Sequence, residues 1–349
     1  MPGILVFALS TLLIAYFGVG GIRLWAEQRH LLAYPNARSS HVRPTPKGGG
    51  LAIVLACALV MAVYLSALTE IEVTAWAYLL GAMLIAGISW IDDIYNLPSV
   101  LRLTVHSLCA LPILIWVGYW HVLPLPFGGE IALGWFGPLL TFVWIVGLTN
   151  IYNFMDGIDG LAAGQAVIAG IAWGCFGWWS QQPFVFLVGF CIAAACGGFL
   201  GHNWAPARIF MGDVGSAFLG YSFAVLTVAA AQKQPVLMPV GVLLLWPFLF
   251  DAGFTILRRL QRGENILAAH RSHLYQRLVI AGRNHRTVTL LYLGLAVVGA
   301  GLAGVYYVGW ASAVPWVLAT PWVLFFALWR YVVGEERHHD ALSSLPQTN

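Results

Sequence analysis

The chain carries about eleven apolar runs: residues 3–22, 48–68, 74–91, 104–120, 136–152, 161–179, 183–201, 215–231, 236–257, 290–308 and 312–333. Each is close to the roughly 20 helical residues that cross a bilayer. The runs predict an all-α, polytopic membrane protein with about 11 transmembrane helices. Composition agrees, because 60% of the 349 residues are hydrophobic and only 9% charged, against roughly 25% charged in soluble domains. A soluble fold of this size could not hide so much apolar surface. The seventh run contains Gly197-Gly198 and Gly201, which points to an irregular end.

Orientation follows from the basic residues, which accumulate on the cytoplasmic side. With the N-terminus outside, the inner loops are 23–47, 92–103, 153–160, 202–214, 258–289 and the tail from 334. These loops and their borders hold every Lys and Arg of the 17 present except Lys233. The C-terminus is then cytoplasmic. The first run lacks a basic leader and a cleavage site, so it reads as a retained helix. Net charge is +3 and resides on the inner face, suiting anionic headgroups or an anionic substrate. Nucleic acid is not indicated. Cys57, Cys109, Cys175, Cys191 and Cys196 lie in apolar runs without paired spacing and read as packing residues. The tail 334–349 is polar and reads as loosely ordered, including His338-His339.

Carboxylates beside membrane spans are functional candidates by default. Six of the 14 acidic residues, Asp92, Asp93, Asp156, Asp159, Asp213 and Asp251, lie at or near inner helix ends. Asp92-Asp93 in SWIDDIYNLP repel one another unless a cation shares the site; the pair suits a general base or a metal site, with a solvated helix end as the alternative. Asn150, Asn153, Asp156 and Asp159 recur every third residue, either as one polar helix face or as a helix end opening into a loop at Gly157 and Gly160. Asp213 stands between Gly212 and Gly215, where the backbone can approach a ligand, and Ser216 can cap the following helix. Asp251 is expected either to form a structural ion pair with Arg258 or Arg259 or to take a catalytic role. Two basic loops complete the set: His41, Arg43 and Lys47 before three glycines, and His270, Arg271 and His273 in HRSHLYQRL. Such clusters bind phosphate; ordinary inner-face charge is the alternative for both.

Taken together and in this order, the stretches Ser40 to Gly50, Asp92-Asp93, Asn150 to Leu161, Phe210 to Gly220 and His270 to Leu278 resemble the polyprenyl-phosphate N-acetylhexosamine-1-phosphate transferases. That superfamily includes phospho-MurNAc-pentapeptide translocase. The resemblance implies transfer of N-acetylhexosamine-1-phosphate from a UDP-sugar to polyprenyl (undecaprenyl) phosphate, releasing UMP. It implies residues 1–333 as one catalytic membrane domain in the bacterial inner (cytoplasmic) membrane, with its active site facing the cytoplasm. Asp92 and Asp93 would face the reacting phosphates. Asp213 would be the chief Mg²⁺ ligand (or Mn²⁺ in its place), with Asp159 a second. Lys47, Asn153, Asp156, Asn203, Phe210, His270, Arg271 and His273 would bind substrate. The peptidoglycan translocase has a Lys shortly after its Asp pair and a triple-His segment. DDIYNLPSVLR and HRSH depart from both and look more like the branch that begins O-antigen or other surface polysaccharides. The partners expected are the UDP-N-acetylhexosamine, the polyprenyl phosphate and the bilayer, with a homodimer as the self-assembly in view. An ion-coupled secondary transporter using intramembrane aspartates is the rival reading.

Overall fold

A computed structural model describes residues 2–34, 43–68, 72–265 and 270–343; His41 lies outside them. The molecule is almost entirely helical. α1 (Pro2–Gln28) is followed by a short antiparallel ribbon of β1 (Leu32–Ala33) and β2 (Thr45–Pro46), then α2 (Gly50–Ala67), α3 (Val73–Tyr95) and α4 (Ser99–Pro112). A π-helical turn, Ile113–Val117, extends α4. A second ribbon, β3 (Val122–Pro124) with β4 (Glu130–Ala132), precedes α5 (Phe136–Phe154), α6 (Leu161–Trp179), α7 (Pro183–Asn203) and α8 (Asp213–Lys233). α9 (Leu237–Leu244), α10 (Trp246–Gln261), α11 (Leu274–Ile280), α12 (His285–Val308) and α13 (Val314–Ser343) complete the chain.

Among the described residues, nine helices are long and apolar enough to cross a bilayer, or ten if one bent pair counts as a span. The expected run 136–152 is also helical, as α5, but its polar NIYN end keeps it outside that set. The run 236–257 is not the single straight span expected. α9 and α10 meet at Leu245 with a bend of 73°, because Pro247 in the first turn of α10 has no N–H to continue the preceding helix. The irregular end expected in the seventh run is absent. α7 continues through all three glycines to Asn203, and Gly198 is used for packing instead: a Cβ there would strike the Leu12 carbonyl oxygen of α1.

α8 is the axis of the bundle. Every residue from Val214 to Ala231 is buried, enclosed by α2, α3, α5, α7 and α9. The outer helices instead show apolar side chains, such as Phe17, Trp116 and Trp322, as lipid-facing surfaces do. In place of the loose tail expected from Gly334, α13 runs on as helix to Ser343. Glu336 accepts two hydrogen bonds from the Arg277 guanidinium, at 2.7 and 2.6 Å, and Glu335 accepts two from Arg283. These ion pairs hold the stretch against α11 and the loop before α12.

Candidate active site

The site is organised around the first turn of α8. The opening N–H groups of a helix have no acceptor within it. Here the carboxylate of Asp93, from the last turn of α3, accepts them: Asp213 N–H at 3.2 Å and Val214 N–H at 3.1 Å. Gly212 makes this approach possible, since its φ is +77° and a Cβ would collide with the Asp93 carboxylate. Ser216 is therefore not the cap. It lies one turn inside α8, where its hydroxyl donates to Asn153 Oδ1 at 2.6 Å and to the Gly212 carbonyl at 3.1 Å.

Asp92, buried beside it, accepts a hydrogen bond from Arg102 Nη1 at 2.7 Å. The same nitrogen lies 2.8 Å from Asp213 Oδ2. One guanidinium thus bridges the Asp pair to α8. Asn153 Nδ2 also donates to Asp213 Oδ2, at 3.3 Å.

The Asn-Asp series is a helix end opening into a loop. Asn150 and Asn153 lie in α5, Asp156 and Asp159 in the turn before α6. Asn150 is turned back on its own helix and donates to the Val146 carbonyl. Asp159 is anchored by the Ala207 N–H at 3.0 Å and by His285 Nδ1 at 3.2 Å. Asp156 has no such support among the described residues. Burial, and then the charges of Asp213, Asp93 and Asp159, push its carboxyl up to about 8. The cause is a shortage of positive charge around a desolvated acid.

Eight of the expected site residues line one cavity of about 310 Å³: Lys47, Asp93, Asn153, Asp156, Asp159, Asn203, Phe210 and Asp213. Gln276 and His285 share its wall. Asn203 is buried and holds the cavity's shape, accepting from the Gly160 N–H at 2.9 Å and donating to the Ile209 carbonyl at 2.9 Å. Arg102, Gln276 and His285 are the members that inspection of local motifs passes over.

The HRSH segment stands apart from this wall. His273 is buried with Nδ1 3.3 Å from Asp251 Oδ1. His270 receives or gives a hydrogen bond to the Ser272 hydroxyl at 2.9 Å, and burial, then the neighbouring His273 and Arg259, lower it to about 4, so it is neutral at pH 7. Arg271 is half-buried beside them. Asp251 does not pair with Arg258 or Arg259. Its carboxylate accepts from the Leu274 N–H at 2.8 Å, the Tyr275 N–H at 3.3 Å and the Tyr292 hydroxyl at 2.5 Å. Arg259 turns away to Glu264, at 3.0 Å.

Among the described residues, no three His, Cys or acidic side chains form a ready metal cage. The donors on the cavity wall are nonetheless hard carboxylate oxygens, and Mg²⁺ commonly takes one or two of these, completing its shell with water and phosphate. Asp213 and Asp93 fit that description. Asp159, whose two oxygens are engaged by the Ala207 N–H and His285, keeps a further lone pair on each and lines the same cavity.

The chain is also similar in sequence to several membrane transferases. The family model described as glycosyl transferase family 4 matches residues 75–231. The decaprenyl-phosphate N-acetylglucosaminephosphotransferase of Mycobacterium tuberculosis is 34% identical over 330 residues, covering 84% of this chain and 80% of the relative. The probable undecaprenyl-phosphate N-acetylglucosaminyl 1-phosphate transferase of Bacillus subtilis is 35% identical over 266 residues, covering 74% and 73%. The phospho-N-acetylmuramoyl-pentapeptide-transferase of Listeria monocytogenes is 27% identical over 272 residues, covering 73% and 82%. With its all-helical membrane fold and its carboxylate-lined cavity, the chain belongs to the polyprenyl-phosphate N-acetylhexosamine-1-phosphate transferase family, glycosyl transferase family 4.

Proposed function

We propose that this protein transfers N-acetylhexosamine-1-phosphate from a UDP-sugar to polyprenyl phosphate, undecaprenyl phosphate in particular. The names of its relatives favour N-acetylglucosamine as the sugar. The reaction faces the cytoplasm at a bacterial inner membrane, the N-terminus outside and the C-terminus inside, and begins O-antigen or another surface polysaccharide. The observation that carries this reading is the convergence of Asp93, Asp156, Asp159 and Asp213, with Lys47, on one cavity of a multi-pass membrane protein.

In this reaction an oxygen of the acceptor phosphate attacks the donor's β-phosphorus. The bond from that phosphorus to the bridging oxygen breaks, and UMP leaves with the oxygen. The second pKa of a phosphate is near 6, so the acceptor is mostly ionised at neutral pH and direct attack needs little base catalysis. Two anions must approach, and positioning with charge screening supplies most of the acceleration in phosphoryl transfer. Lys47 and Arg102 provide positive charge from the protein. Asn153 fixes Asp213, while Asp93 fixes the backbone around it. Mg²⁺ held on Asp213 would neutralise the diphosphate. Phe210 supplies an aromatic face for the base, and Gln276 with His285 supplies polar contacts on the same wall.

The test is incubation of the purified chain with a panel of UDP-sugars, undecaprenyl phosphate and Mg²⁺, reading UMP. Lipid-dependent UMP release with at least one UDP-N-acetylhexosamine is expected. Absence of release with every donor would overturn the assignment.

A further inference from the structure

Lys233, the exception among the basic residues of the chain, is the last residue of α8. That helix has 21 residues, so Lys233 stands roughly 30 Å from Asp213 at about 1.5 Å per residue. A lysine in the last turn of a helix can serve the carbonyls left open there. Lys233 does not, because its ammonium makes no hydrogen bond or ion pair among the described residues. The Ala230 carbonyl is met by the Gln182 amide at 3.2 Å instead, and the Val228 carbonyl by the Gln232 amide at 3.4 Å.

What Lys233 does is line a cavity of about 110 Å³. The walls come from the starts of α3 and α7, the π-helical turn after α4 and the end of α8. Glu72 lines the same cavity, held by a hydrogen bond from the Tyr64 hydroxyl. No ion pair joins it to Lys233 among the described residues. Two opposite charges thus share one small cavity without neutralising each other. A lone anion there would meet Glu72 and a lone cation would meet Lys233, so a ligand carrying both charges fits best. Gln182, which is buried, donates its nitrogen to Ala230 and keeps its amide oxygen as an acceptor.

The setting indicates where such a ligand comes from. The volume is well below the roughly 300 Å³ at which sites for drug-sized molecules begin. Val117, Pro183 and Phe184 make part of the wall apolar. Next to wall residues in the chain, Val73, Trp76 and Trp116 are exposed, and tryptophans gather at the headgroup level of a bilayer. We propose that this cavity binds the headgroup of an ethanolamine phospholipid in the leaflet away from the candidate active site. Its ammonium meets Glu72, its phosphate meets Lys233, and its acyl chains run along Trp76 and Trp116. The proposal stands whether or not the transferase reading holds.

The test is melting of the full chain in detergent with phosphatidylethanolamine, phosphatidylcholine or phosphatidylglycerol of the same acyl chains at equal concentration. Choline has no N–H to give Glu72, and the glycerol headgroup has no cation. The rise in melting temperature with the ethanolamine lipid should exceed the other two by at least about 2 °C. Lys233→Met and Glu72→Gln, which keep shape and remove one charge each, should lose that excess. Equal rises with all three lipids, a larger rise with phosphatidylglycerol, or an excess that survives both substitutions would overturn the site. Free phosphoethanolamine at the same concentration should stabilise less than the lipid; equal stabilisation would overturn the lipid as occupant. Native mass spectrometry of the unaltered protein needs no variant to fold. From an equimolar mixture it should retain phosphatidylethanolamine over phosphatidylcholine, and equal retention of both would sink the proposal.

Discussion

The ring of His273 lies 3.3 Å from the carboxylate of Asp251, and both side chains are buried. Together with the Leu274 and Tyr275 N–H groups and the Tyr292 hydroxyl, this contact ties the start of α11 to α10 and α12. Removing one member of a buried hydrogen-bonded charge network costs about 3–5 kcal/mol. Asp251→Ala should therefore unfold at a markedly lower temperature in detergent, as read by thermal melting. A variant that melts like the wild type would contradict a structural role.

Asp213→Asn should behave in the opposite way. It keeps shape and hydrogen-bonding capacity, so the melting temperature should hold, while UMP release drops by at least about 10². Near-normal Mg²⁺-dependent turnover would place the metal elsewhere.

Asp156 gives a pH test. Its carboxyl is raised to about 8 in the folded protein, against about 3.9 when unfolded. The folded state then holds the proton more tightly, so stability is lost as pH rises from about 4 towards 8. Asp156→Asn cannot ionise and should escape this loss. In ligand-free protein its melting temperature should match the wild type near pH 5 and exceed it by at least about 2 °C at pH 9. A constant offset across that range would show that Asp156 does not titrate there.

Orientation can be read by labelling. Gln261 and Glu130 are both exposed, and four of the five native cysteines are buried. Gln261→Cys should react with an impermeant maleimide only after the cytoplasmic face is opened, and Glu130→Cys in intact cells. The reverse pattern would invert the topology.

Direct attack by the lipid phosphate predicts no exchange of labelled UMP into the UDP-sugar without polyprenyl phosphate. Lipid-independent exchange, with a phosphorylated peptide carrying Asp92 or Asp93, would establish a covalent two-step route instead.

Much of this architecture is legible in the sequence, for a physical reason. Apolar runs near 20 residues have one use in lipid, and acids beside them are costly enough to mark a site. Asp92, Asp93, Asp156, Asp159 and Asp213 stand out that way, and Asn153 joins them through its three-residue spacing from Asp156. What stays hidden are partners distant in sequence. Arg102 meets Asp213 across 111 positions, and Asp159 meets His285 across 126. Along the chain both look like ordinary inner-face residues. Asp251 misleads differently: Arg258 and Arg259 follow it on the same helix, yet the amides at the start of α11 reach its carboxylate. The helical tail is missed because polar composition resembles a solvated end until Arg277 and Arg283 are seen opposite Glu336 and Glu335.

The enclosure of α8 has a consequence for biogenesis. A helix with no lipid-facing side in the finished protein must still enter lipid as a separate segment before its partners close around it. Its own hydropathy is high enough for that passage, although Ser216, Ser222 and Thr227 find their hydrogen bonds largely within α8. α9 follows it in the chain, so the wall it contributes cannot form until synthesis has passed Leu244. During translation, then, Asp213 is inserted well before its cavity can exist, and nascent chains stalled between α8 and α9 should be exposed to quality-control proteases that the completed bundle excludes.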